Sequence, residues 1–186
     1  MMERFPLLRS DGASAAVEMA LVLPFLLALL FGSVELGNYF MSEHALEKQV
    51  RDGARYAARL TLKQPYNCTA DPATVFADPN ASADIINVTE TGAVSGTGFP
   101  RWDASYWART CGQDPQTVTV SINCVTKGDI DTGGSGQTGI YTALDGDIPV
   151  VTVFARVKYL SVLSTLGFNA TNLCMTAESK AAVQGI

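Results

Sequence analysis

Apolar and polar positions along this chain fall into three regimes. Between residues 13 and 36 apolar side chains occupy every face of a would-be helix, with no charge from Met19 to Val34 and one carboxylate, Glu18, immediately before that run. About 20 residues at 1.5 Å rise cover a ~30 Å hydrocarbon core, so the segment is long enough to span a bilayer. Beyond residue 36 the apolar positions narrow to a stripe: Leu46, Val50, Ala54 and Ala57 recur at helical spacing, Glu47/Arg51 and Lys48/Asp52 stand at i,i+4, and no proline intervenes before Pro65. The pattern predicts one long helix over residues 13–63, with its span at residues 14–36 and an amphipathic outer half at 37–62. Gly53, Ala54, Ala57 and Ala58 give that outer half a small-residue stripe that a sheet can approach closely, and Arg51, Arg55 and Arg59 form a like-charged row on its solvated face.

After the helix the period is lost and then changes. Residues 64–115 are rich in Pro, Asn, Asp, Thr and Gly, and their short apolar patches sustain no period, which predicts an irregular insertion. Trp102 and Trp107 within it read as burial mass for a small core. "QTVTVSINCVT" then alternates strictly, with Val118, Val120, Ile122 and Cys124 on one face and Thr117, Thr119, Ser121 and Asn123 on the other. That is the signature of a half-buried strand. "DIPVVTVFARVKYL" is a second strand with Val151, Val153, Ala155, Val157 and Tyr159 inward, and "ATNLCMTAESKAAV" a third. Three antiparallel strands over residues 116–186 with one apolar face need a cover, and the long helix is the amphipathic element available. The predicted fold is α+β: a long N-terminal helix, half transmembrane and half amphipathic, packed on a small antiparallel β-sheet in the manner of a lollipop.

Charge and cysteines narrow the function. A net charge of −5 leaves no basic footprint for nucleic acid. The short head, residues 1–12, carries Arg4 and Arg9 against Glu3 and Asp11, a slight positive bias that favours a cytoplasmic N-terminus. A cleaved secretory signal is the competing reading of such a start, but "FGSVELGNYF" after the run lacks a good pair of small residues at the usual spacing. Cys68, Cys111, Cys124 and Cys174 contain no Cys-x-x-Cys pair, and the single histidine, His44, is near none of them in sequence, which argues for two disulfides in an oxidising compartment rather than a metal site. Of the three connectivities, the expected one joins Cys68 to Cys111, closing a loop of roughly forty residues worth about 3 to 4 kcal/mol, and leaves Cys124 with Cys174.

The chain is not expected to be an enzyme. "DTG" at 131–133 has the core letters of an aspartic-protease signature but lacks a preceding apolar strand and a second copy. A serine hydrolase would need its base from His44 on the helix, and "DID" and "DGD" lack the spacing of a calcium loop. No cofactor is implied.

In Gly12 with "ASAAVEMALVLPFLL", "ELGNY" from Glu35 and "ALEKQVRDGARYAA" from Ala45, the chain resembles the TadE-like minor pilins or pseudopilins of the tight-adherence (Flp, type IVc) pilus system. The resemblance covers about the first third of the chain. It implies processing by a prepilin peptidase at Gly12, Ala13 or Ser14, and assembly with other pilins and the Tad secretion machinery. It also implies a single-pass protein of the bacterial inner membrane, in contact with its lipid, with a periplasmic C-terminal domain that can pass into an extracellular pilus. In such families an acid stands fifth in the mature chain. Cutting after Gly12 makes Glu18 sixth and cutting after Ala13 makes it fifth. A carboxylate near hydrocarbon costs several kcal/mol unless it has a partner. The freed amine of a neighbouring subunit is one partner for Glu18; the alternative is an interfacial acid that reaches back to headgroup water. The alternative for the whole chain is an uncleaved membrane-anchored periplasmic domain that binds a polysaccharide or protein.

Overall fold

The computed structural model describes residues 11–63, 72–98, 107, 111, 117–126, 147–166 and 173–184. Within them the chain order is a long helix α1 (Asp11–Ala57), a single helical turn α2 (Pro72–Val75), a helix α3 (Ala81–Thr91), and strands β1 (Thr117–Val125), β2 (Ile148–Lys158) and β3 (Cys174–Ala182). A 3-10 turn, Val162–Leu166, lies between β2 and β3. The expected α+β class stands: one long N-terminal helix and a three-stranded antiparallel sheet of order β1-β2-β3.

Two compact units make up the chain, Met1–Phe40 with Ser161–Asn169, and Met41–Leu160 with Ala170–Ile186. In the second unit the alternation read from the sequence sets the sheet. Val118 lies opposite Ala155 and Ala155 opposite Ala177, while Ile122 lies opposite Val151 and Val151 opposite Ala181. Val151, Val153, Ala155, Val157 and Tyr159 are all buried, as are Val118, Ile122, Met175 and Ala177. Thr119, Ser121, Asn123, Glu178 and Lys180 face solvent, with Lys180 Nζ 2.9 Å from Glu178 Oε1.

The outer half of α1 supplies the rest of that core. Leu46, Val50, Ala54 and Ala57 are buried, the stripe the periodicity named. Helix α1 ends at Ala57 rather than near residue 62, because Thr61 and Leu62 leave the helix to pair with the chain after α2. Lys63 N–H donates to Val75 O at 2.8 Å and Ala77 N–H to Thr61 O at 3.0 Å. At the same end Gln184 N–H, just past β3, donates to Ala58 O at 2.7 Å.

The insertion holds more order than its composition promised. Helix α3 buries Ala81, Ile85 and Thr89 at i,i+4,i+8 and ends on Gly92 in the left-handed region (φ 77°), whose N–H returns to Val88 O. It is α3, rather than a sheet, that approaches the small-residue stripe at Gly53: a Cβ there would collide with Thr89 Oγ1 and stand 3.2 Å from Thr89 Cβ. The buried Thr89 hydroxyl is satisfied within α3 by Ile85 O at 2.7 Å.

Cysteine pairing also differs from the expectation. Cys111 is joined to Cys174, with Cα atoms 5.8 Å apart, which excludes both Cys68–Cys111 and Cys124–Cys174. The sheet register explains why the second of these fails. Cys124 sits opposite Pro149 and Cys174 opposite Lys158, so they lie on different edge strands, on opposite faces, and nine residues apart along β2. That separation is ~30 Å in extended chain, far beyond the ~7 Å Cα limit of a disulfide. Cys124 is also disulfide-bonded. Cys68 lies outside the described residues, as do Trp102, the head residues 1–10 and the "DTG" triplet; Trp107 is half-buried.

Candidate functional site

Residues 14–40 belong to a helix that, among the described residues, no other element of its unit encloses. Between Val17 and Met41 the large apolar side chains are exposed on every face, from 39% at Phe31 to 72% at Phe25 and Leu29. Soluble proteins do not leave so large a contiguous apolar surface bare. This is the one helix among the described residues long and apolar enough to cross a membrane. The sequence explains how it stays helical there. Leu, Ala, Phe and Val dominate, the Ser33 hydroxyl is satisfied one turn back by Leu30 O at 2.8 Å, and α1 runs on through Pro24. Proline at that point leaves the Ala20 carbonyl without its helical donor, a loss that membrane helices absorb through neighbours or local adjustment.

The processing residues and the acid expected from the sequence all lie near the start of α1. Gly12, Ala13 and Ser14 lie in the first turn of α1, where the backbone N–H groups have no intrahelical acceptor. Glu18 follows one turn after Ser14 and is exposed. The Ser14 hydroxyl stands 3.5 Å from Glu18 Oε1, too long to satisfy an ionised carboxylate. Among the described residues no cationic group pairs with it. The acid is thus presented outward from an apolar surface.

A second acid, which the sequence reading passed over except as part of a motif, closes the other end of the charge-free run. Glu35 is half-buried and its Oε2 accepts a hydrogen bond at 3.2 Å from Leu163 N–H in the 3-10 turn. The donor is a backbone group 128 residues away, so no spacing rule points to it. The usable signal was position alone: an acid directly after Val34, where the apolar run ends.

Further along α1 the polar face is solvated as expected. Arg51, Arg55 and Arg59 are exposed, and Asp52 pairs with Arg55 at 3.7 Å (i,i+3), where the sequence suggested Lys48. His44 is likewise exposed, its Nδ1 3.7 Å from Glu47 Oε2. Two shallow grooves flank this part of the helix, one toward α3 and lined by Lys48, Gln49, Asp52 and Val88, the other toward β3 and lined by Arg55, Arg59 and Ala181. Tyr56, near Asp84 and Asp78, has its phenol pushed up, first by burial and then by those carboxylates.

Residues 13–55 match the family model described as TadE-like protein. The match falls on the stretch that carried the resemblance, from the residue after Gly12 into the buried stripe of α1 as far as Arg55, and leaves the sheet outside it. No curated protein and no solved structure matches the chain.

Proposed function

We propose that this chain, TadE-like over residues 13–55, is a minor pilin or pseudopilin that takes part in assembling a Tad/Flp-type adhesion pilus, with a structural rather than catalytic role. The observation that carries this reading is the outward-facing apolar helix with Glu18 among its exposed side chains and no cation beside it among the described residues. A bare apolar surface has two environments available, lipid and the same helix of another subunit. An acid near hydrocarbon asks for a cation in both.

In this reading α1 is held in the inner membrane until a prepilin peptidase cuts after Gly12 or Ala13. The cut removes the head and creates an ammonium group at the helix start. That ammonium, on a neighbouring subunit staggered along the bundle, reaches Glu18, and the charge pair sets the register while apolar faces pack around it. The sheet unit, stapled by Cys111–Cys174, remains outside.

N-terminal sequencing of protein extracted from membranes, with and without the peptidase, tests the processing step. The mature chain is expected to begin at Ala13 or Ser14 when the peptidase is present. A chain that still begins at Met1 or Met2 in a peptidase-positive cell contradicts the proposal and leaves the uncleaved membrane-anchored binding domain in its place.

A further inference from the structure

The 3-10 turn between β2 and β3 belongs with the apolar part of α1 rather than with the sheet: residues 161–169 fall in the same compact unit as residues 1–40. Its position is fixed by the bond from Leu163 N–H to the Glu35 carboxylate, and Glu35 is the first charged residue after the apolar run. The turn is therefore held at the level on α1 where hydrocarbon would give way to headgroups.

Its surface suits that level. Among the described residues, large exposed apolar side chains outside α1 are Val94, Val162 and Leu173, and of these Val162 belongs to the unit that holds residues 1–40. Val162, at 52% exposure, leads the turn, beside Leu163, which is half-buried, and Ser164, which is exposed. At that level an exposed apolar side chain beside an exposed serine can meet acyl chain and headgroup together.

We infer that the Val162–Leu166 turn is a second membrane contact, a shallow wedge seated in the outer headgroup–acyl boundary of the bilayer that α1 crosses, with Glu35 as the positioning residue that clips it there. The inference rests on the membrane reading of α1 and adds to it a lipid-binding element supplied by the β2–β3 connection. The hydrogen bond serves both ends. Leu163 N–H gains an acceptor in a region poor in water, and the Glu35 carboxylate gains a donor at the hydrocarbon edge.

The test reconstitutes the full chain in phosphatidylcholine vesicles brominated either near the carbonyl end or near the methyl end of the acyl chain, and reads tryptophan fluorescence after subtracting the parent protein. Three single variants carry the reporter: Phe25→Trp in the apolar run, Val162→Trp in the turn and Thr119→Trp on the exposed face of the sheet. Phe25→Trp should lose fluorescence to both lipids, Val162→Trp chiefly to lipid brominated near the carbonyl end, and Thr119→Trp to neither. Adding Glu35→Ala to Val162→Trp should weaken its quenching, whereas Glu35→Gln, which keeps an acceptor oxygen, should preserve it. Quenching at Phe25→Trp without quenching at Val162→Trp overturns the wedge and leaves the span intact. A Val162→Trp signal that is quenched by aqueous acrylamide instead, or that is shielded from both lipid and acrylamide by a second protein chain, overturns it as well. No quenching at Phe25→Trp overturns the membrane reading and the wedge together.

Discussion

Helix α1 is one continuous element whose two halves obey different rules. In its outer half Leu46, Val50, Ala54 and Ala57 are buried within the unit that also holds α3 and the sheet; in its inner half Leu21, Phe25 and Leu29 are exposed. The two acids that bracket the inner half repeat the contrast. Glu35 has a close donor within its own chain, and among the described residues Glu18 has a serine hydroxyl 3.5 Å away. An amphipathic stripe is a statement about a fold, since its counterpart is encoded in the same sequence. An apolar surface on every face with an unpaired acid is a statement about surroundings, since its counterpart is not.

The largest effect should separate the halves directly. Leu46→Ala removes a fully buried side chain and should lower the unfolding free energy of the outer unit by about 2 to 5 kcal/mol. Leu29→Ala should leave it unchanged. Urea titration of the full chain in detergent, followed by a probe in the sheet unit, measures both, and equal losses would erase the distinction.

The disulfide belongs wholly to the enclosed unit. Replacing Cys111 and Cys174 with serine should destabilise the sheet unit by about 2 to 4 kcal/mol without altering membrane retention. A non-reducing digest should yield the Cys111–Cys174 peptide. A Cys124–Cys174 peptide would contradict the strand register.

A smaller effect tests burial by pH. Glu90, at the end of α3, has its carboxyl pushed up by burial, so the folded chain holds that proton more tightly than the unfolded chain does. Stability therefore falls as pH rises from the ordinary carboxylate range through the raised value. Glu90→Gln should melt slightly higher than the parent at neutral pH and equally below the ordinary glutamate pKa. A gain that grew on acidification would have the wrong sign.

Much of this arrangement was legible in the residues, and the parts that were not share a cause. Strand β1 announced itself because one face is apolar and the other polar, and β2 because Val151, Val153, Ala155 and Val157 keep an apolar line at period two although its other face is also largely covered. The α1 stripe was legible for the same reason at period 3.6, and Glu18 because a charge stands out against an apolar run. Helix α3 was missed because its buried line is only Ala81, Ile85 and Thr89. A helix that packs against a glycine needs little apolar mass, and its threonine reads as a loop residue. The cysteine pairing was misjudged because the face of Cys174 depends on the register of β3, which its own alternation of small residues states weakly. Glu35 escaped notice as a site because its partner is a backbone N–H in a distant turn, and backbone donors leave no trace in composition.

In the proposed assembly the partner of Glu18 lies in another subunit. Glu18→Gln keeps the size of the side chain and an uncharged amide is less costly near lipid than a carboxylate, so folding, membrane level and N-terminal processing should match the parent. Incorporation is where the loss should fall. Quantifying the variant in sheared or affinity-purified appendages, alongside its membrane level and its N-terminus, measures this in one preparation. The account predicts normal membrane level, normal cleavage and strongly reduced incorporation. Incorporation of Glu18→Gln at the level of the parent would show that the acid is a passive interfacial residue and would contradict the pairing between subunits.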